Sequence, residues 1–195
     1  PYIFHDETLT RLLNRDDVFS SLHSNEIDNL KIFDEHSIPK LETVLRMFPD
    51  MKFQIDVKTD EVAMPALAII QKNNAMDRVC IASFNSKRLN LVNNNYPDIC
   101  ISMGPYEVAK MLLSSFGLYK KSILGNCLQI PIYEYGIKLV TKRFVKFIHS
   151  KGLKVCVWTI NDEKTFKYLI DIGVDGIITD KPKLLFEVLD STTNQ

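Results

Sequence analysis

The side chains best equipped for chemistry lie in two short polar stretches set where apolar residues would be expected. The first is His5-Asp6-Glu7, directly after the apolar Tyr2-Ile3-Phe4. The second is Gln54-Ile55-Asp56-Val57-Lys58, inside a strand-like run from Met51 to Thr59. A strand turns successive side chains to opposite faces, so Gln54, Asp56 and Lys58 share one side and Phe53, Ile55 and Val57 the other. With the apolar side packed on helices, an acid and a base point together into an enclosed space. Unpartnered charge is costly to bury, so such a face holds a metal, a phosphate or an internal Asp–Lys ion pair. An imidazole among carboxylates, as at His5, adds a group suited to moving protons near neutral pH. An enzyme is the leading expectation.

The elements that must carry these residues alternate along the chain. Strands are predicted near Phe53–Lys58, Val79–Phe84, Ile99–Met103, Cys127–Ile130, Lys154–Ile160 and Gly176–Thr179, and Pro1 to Phe4 reads as the opening strand. Between them Leu41, Val44, Leu45 and Phe48 recur at i, i+3, i+4, i+7, the stripe of a helix covering a sheet. Leu139 to Lys151 repeats the pattern through Val140, Phe144, Phe147 and Ile148, with Gly152 as its stop. Asn161 is placed to cap a helix over Asp162 to Ile172 that ends at Gly173, and a last helix runs from Pro182 to Leu189. Gly117 to Asn126 reads as a mobile loop. Strand–helix repeats with apolar strands mean a parallel sheet covered by helices. No Gly-rich dinucleotide fingerprint follows any strand, which favours a TIM-type (β/α)8 barrel over a doubly wound nucleotide fold.

Composition narrows the classes. The 195 residues carry 24 basic and 24 acidic side chains, a formal net charge of zero, so no global field recruits nucleic acid or anionic lipid. No apolar run approaches the ~18 residues of a membrane span; Ala66 to Ile70 is core-helix sized. The four cysteines, Cys80, Cys100, Cys127 and Cys156, are widely spaced, and each falls in a predicted strand. That pattern reads as small core residues in a reducing compartment, the cytoplasm, rather than a disulfide framework or a zinc motif. His23, His36 and His149 read as solvated or helix-surface groups. Residues 1–195 are expected to form a single domain, yet an eight-stranded barrel typically needs ~250 residues. About 55 are then expected to be missing, at the front, in one or two strand–helix units.

Read together, the motifs resemble the glycerophosphodiester phosphodiesterase family. His5-Asp6-Glu7-Thr8-Leu9-Thr10-Arg11 is similar to its "HD…L.R" segment, and Ile38-Pro39-Lys40-Leu41-Glu42-Thr43-Val44-Leu45 to its "iP.LeevL" segment. Asp56-Val57-Lys58 resembles the "EiK" strand with Asp for the usual Glu, and Ser83-Phe84 the "SF" strand end. Val157 to Asn161 resembles "vWTvN", and Gly173 to Pro182 resembles "GvDgiiTD.P". These segments occur in family order from His5 to Pro182.

The resemblance implies a metal-dependent hydrolase that cleaves glycerophosphodiesters, small molecules such as deacylated phospholipid head groups, to glycerol 3-phosphate and an alcohol. It implies His5 as one of two acid–base histidines, the alternative being a structural histidine bonded to Asp6, and Asp56 as a carboxylate ligand of Mg²⁺ or Ca²⁺. In the family pattern the other histidine, in an "HRG" segment, and two more metal carboxylates, in an "ExD" segment, lie upstream of residue 1. A chain with only the residues present is therefore expected to be inactive. Lys58, on the face of Asp56, would meet a phosphate or glycerol oxygen or else pair with Asp56. Trp158 would wall the glycerol or alcohol pocket or serve as core. Two alternatives remain: a lysophospholipase D, if the segment after Pro105 with Val108, Met111, Leu112, Leu113 and Phe116 forms an apolar lid, and a non-catalytic barrel that only binds. Nothing in the sequence fixes an oligomeric state, the head group or the choice of metal.

Overall fold

A computed structural model describes residues 1–193 of the chain. The chain resolves into two compact units: Pro1–Phe53 with Thr59–Arg78, and Gln54–Lys58 with the residues from Val79 onward.

In the first unit, Leu9, Ile27, Leu30 and Ile38 are buried together, with Phe4 and Phe19 stacked 4.4 Å apart against them. Burial of such side chains is the main stabilising term of a small core, roughly 1.5–3 kcal/mol each. The helix Leu41–Met47 buries Leu41 and Leu45. The helix Asp60–Lys72 buries Ala63, Ala66, Leu67 and Ile70, the expected i, i+3, i+4, i+7 stripe. Asp60 and Glu61 occupy its first turn, where negative charge suits the helix dipole. Residues 1 to 4, expected as a strand, do not form one. Tyr2 makes only an isolated antiparallel bridge with Lys40, supported by hydrogen bonds from Ile3 N to Pro39 O and from Leu41 N to Pro1 O.

The second unit is built on the parallel sheet, apart from the strand residue Phe53. Six strands lie in the order Gly176–Ile177, Lys154–Val157, Cys127–Ile130, Cys100–Met103, Val79–Ala82, Phe53–Asp56. The registers Cys80↔Cys100, Ser102↔Cys127 and Gln129↔Cys156 are all parallel. All six expected strands are present, Cys127–Ile130 with the expected bounds and the other five one to three residues shorter. Helices Ser86–Asn95, Pro105–Ser115, Lys142–Ser150, Glu163–Ile172 and Pro182–Thr193 alternate with them. One sheet face is wholly apolar: Val79, Ile81, Ile101, Leu128, Val155 and Val157 are fully buried. The alternate residues Cys80, Cys100, Ser102, Cys127, Gln129 and Cys156 share the other face.

Two local expectations are corrected. Asp162, not Asn161, caps the helix Glu163–Ile172, its side chain accepting from Thr165 N at 2.9 Å. Asn161 is occupied elsewhere, as described below. His149 is also more than a surface group. Its Nε2 lies 2.8 Å from Asp175 Oδ2, which accepts from Val155 N at 2.8 Å as well and so fastens the start of the Lys154–Val157 strand. Burial alone would push the Asp175 carboxyl up, but these two partners outweigh it and the net direction is down. Gly176 is required by proximity: a Cβ there would sit 2.8 Å from Cys156 Sγ. No described helix is long and apolar enough to cross a membrane.

Candidate active site

Parallel strands bring all their C-terminal ends to one edge of the sheet, where barrel enzymes keep their chemistry. Asp56 is the last residue of its strand, Lys58 follows by two, Ser83 directly follows the Val79–Ala82 strand, and Trp158 directly follows Lys154–Val157. The four residues therefore lie at the same end of the sheet. Asp56 and Lys58 form an ion pair, Nζ to Oδ2 2.6 Å, with both side chains part-exposed. The indole of Trp158 meets the ring of Phe84 edge to face, with centroids 6.2 Å apart. Phe84 itself is largely exposed, so this aromatic pair is open to a ligand.

The backbone between Asp56 and Lys58 is held from the neighbouring strand end. Val57 O accepts from the Ser83 hydroxyl at 3.2 Å and from Arg88 Nη1 at 2.7 Å, and Arg88 Nη1 also donates to Ser83 Oγ at 2.9 Å. Val57 N in turn donates to Ala82 O at 2.9 Å. Ser83 is buried, and its hydroxyl accepts from Asn85 N as well. Asn85 caps the helix Ser86–Asn95, accepting from Lys87 N and Arg88 N, which sets Arg88 in the first turn and aims it back at the strand end. Sequence reasoning named Ser83 only as a motif residue and missed Arg88. The usable signal was Asn85, a cap residue with a long cation three positions on.

A second clamp joins the last two strand ends. Asn161 Oδ1 accepts from Asp180 N at 2.9 Å and from Thr179 Oγ1 at 3.0 Å, while its Nδ2 donates to Asp180 Oδ2 at 2.9 Å. The "vWTvN" and "TD.P" segments are thus one structural device. Buried Glu107 is satisfied by the Ser86 hydroxyl at 2.8 Å, and reads as a helix-to-helix tie.

His5 belongs to the first unit. Its Nδ1 lies 2.7 Å from Asp6 Oδ1, and its side chain is 79% exposed. Asp6 also receives Arg11 through Nε at 2.6 Å and Nη2 at 3.1 Å. Arg11 first, then His5, draws the Asp6 carboxyl down to about 2. An Asp6 ionised at neutral pH fixes the imidazole by one nitrogen and leaves Nε2 open, the arrangement expected of an oriented acid or base. Neither His5 nor Asp56 belongs to a group of three or more metal-ligating side chains among the described residues.

Comparison with known proteins accords with this frame. The family model described as the glycerophosphoryl diester phosphodiesterase family matches residues 1–184. "Probable glycerophosphodiester phosphodiesterase 2" of Mycobacterium tuberculosis is 30% identical over 96% of the chain and 73% of that protein. "Lysophospholipase D GDPD1" of Rattus norvegicus is 32% identical over 79% of the chain and 57% of that protein. The solved structure of an Oleispira antarctica phosphodiesterase in complex with the product sn-glycerol-3-phosphate superposes with a TM-score of 0.79 at 20% identity. It covers 97% of the chain and 79% of that one, and it establishes the TIM-barrel type of the fold. A family match across nearly the whole chain leaves one conclusion: the chain belongs to the glycerophosphoryl diester phosphodiesterase family, whose members are phosphoric diester hydrolases.

Proposed function

We propose that this chain serves the hydrolysis of a glycerophosphodiester to glycerol 3-phosphate and an alcohol. The observation that carries the reading is the meeting of Asp56, Lys58, Ser83 and Trp158 at one end of a parallel sheet, with Val57 pinned between the first two. Support for the substrate class comes from the relative named for glycerophosphodiester cleavage and from the neighbour solved with sn-glycerol-3-phosphate. In the reaction the P–O bond to the alcohol breaks, water supplies the oxygen that replaces it, and the leaving alkoxide takes a proton. His5 is the group proposed to give that proton, from Nε2, while Asp6 holds Nδ1. Lys58 offers its ammonium to a phosphate oxygen as a point charge. The rings of Trp158 and Phe84 offer an apolar wall to the glycerol or alcohol carbons.

A bound Mg²⁺ or Ca²⁺ would neutralise charge on the phosphodiester. The residues present meet its needs only in part. Such ions take six or more oxygen ligands, whereas Asp56 offers one carboxylate already engaged by Lys58. We propose Asp56 as one ligand, and no step here depends on the ion.

Calorimetry with sn-glycerol 3-phosphate, with and without Mg²⁺ or Ca²⁺, tests the site. Binding that is weakened in Lys58→Ala and whose cation dependence is weakened in Asp56→Ala is the expected result. Binding indifferent to both substitutions would overturn the assignment.

The lysophospholipase D reading rests on one further observation besides the rat relative's name. Leu113, Phe116 and Leu118 are exposed at and beyond the end of the helix Pro105–Ser115. Val108 and Met111 of the same helix are buried in the main core, so the segment as a whole is not an apolar lid. A lysophospholipid that competes with sn-glycerol 3-phosphate better than its deacylated head group does would favour this second reading.

A further inference from the structure

The sheet face opposite the apolar core gathers three cysteines that chain spacing keeps apart. Cys80 and Cys100 are direct partners in register, and Cys127 pairs with Ser102, two residues beyond Cys100 on the same face. Their sulfurs all lie within 4.8 Å of one another, and Cys80 Sγ is 3.6 Å from Cys127 Sγ. Zinc–thiolate bonds are about 2.3 Å long, so two sulfurs on one tetrahedral ion sit about 3.8 Å apart, and the three thiols need move little to share an ion. All four cysteines of the chain are free.

The surroundings suit a thiolate cluster. Cys127 is buried and the other two are part-buried. Gln129, next on the same face after Cys127, has a buried Nε2 without a hydrogen-bond partner, the kind of donor a thiolate accepts. Position separates the cluster from the candidate active site. Cys100 and Cys127 are the first residues of their strands and Cys80 is the second of its own, whereas Asp56, Ser83 and Trp158 stand at the opposite strand ends.

We propose that Cys80, Cys100 and Cys127 form a binding site for a thiophilic closed-shell metal ion, Zn²⁺ or Cu⁺, distinct from the hard-cation role assigned to Asp56. Thiolates select such soft ions over Mg²⁺ and Ca²⁺. Binding releases the protons of the thiols that ligate, so affinity rises with pH.

The test is a titration of the reduced, chelator-treated chain with Zn²⁺, and separately with Cu⁺ under argon, against a chromophoric competing chelator. Thiol reactivity toward an aromatic disulfide reagent is followed in parallel. The expected result is one equivalent bound by one or both ions, with three thiols shielded and Cys156 still reactive. Cys100→Ser and Cys127→Ser should each weaken binding by more than ~100-fold, beyond the 10–100-fold typical of losing an outer partner. Cys156→Ser should leave it unchanged. The same fraction of each thiol reacting with and without an equivalent of either ion would overturn the proposal. So would shielding by Mg²⁺, or unchanged affinity in a Cys80→Ser/Cys100→Ser/Cys127→Ser variant. If the serine variants fail to fold, the shielding pattern of the unsubstituted chain decides alone.

Discussion

At the residue scale the decisive contrast is between His5 and Asp56. His5 is fixed at one nitrogen and open at the other, whereas Asp56 is an oxygen donor already paired with a cation. General acid–base assistance is worth ~10²–10⁴-fold, so His5→Ala in the active enzyme should lower turnover by that order and leave cation affinity nearly intact. A nitrophenyl leaving group needs less protonation, so its hydrolysis should lose less. An equal loss for both substrates would make His5 the base for the attacking water. Asp56→Ala should blunt the response of activity to Mg²⁺ or Ca²⁺ titration, while Asp56→Glu, the family residue, should be tolerated. Asp6 makes a prediction about stability. Its carboxyl is held at about 2 against an ordinary 3.8, by Arg11 first and His5 second. A depressed pKa stabilises the fold above the unfolded value and ceases to do so as pH falls through the folded one. The stability gap between the wild-type chain and Asp6→Asn, measured by urea unfolding, should therefore be constant above about pH 5 and close between pH 3.8 and pH 2.

At the element scale the strand ends are held by side chains from the following loops and helices. Asn161→Ala removes three hydrogen bonds between the last two strand ends, and Asp180 N loses its acceptor. A cost of about 1–3 kcal/mol in chemical denaturation is expected. Asp162→Ala removes only a helix cap and should cost about 1 kcal/mol. The same scale shows how much the sequence revealed. Strands such as Val79–Ala82 were legible because a fully apolar alternate set, here Val79 and Ile81, leaves little else for them to be. The placement of Asp56, Lys58 and Trp158 at strand ends was legible because the motifs that contain them are local. Arg88 was not, since its role is a reach from one element to the carbonyl of another. The cysteine cluster was least legible of all. Register, which no spacing in the chain encodes, sets Cys80 beside Cys100 and brings Cys127 to them. Tyr2 to Phe4 failed as a strand because a short apolar run says nothing of whether a partner strand lies alongside.

At the scale of the whole molecule, the core of the second unit depends on large side chains with no exposure. Phe166→Ala, from a position with 0% exposure, should cost ~3–5 kcal/mol through lost transfer energy and an unfilled cavity, read as a lower denaturant midpoint at unchanged slope. The ion pair between Asp56 and Lys58 has a consequence of another kind. An anion that recruits Lys58 must first part it from Asp56, and a cation that recruits Asp56 must first part it from Lys58. Whichever arrives first bears the cost of separation for both, so the second binds more tightly than it would alone. Linkage then requires the assistance to be mutual and equal in size. On the roles proposed for Lys58 and Asp56, the pair would act as a gate against half-loaded states, disfavouring phosphate without its counter-cation and the cation without its phosphate.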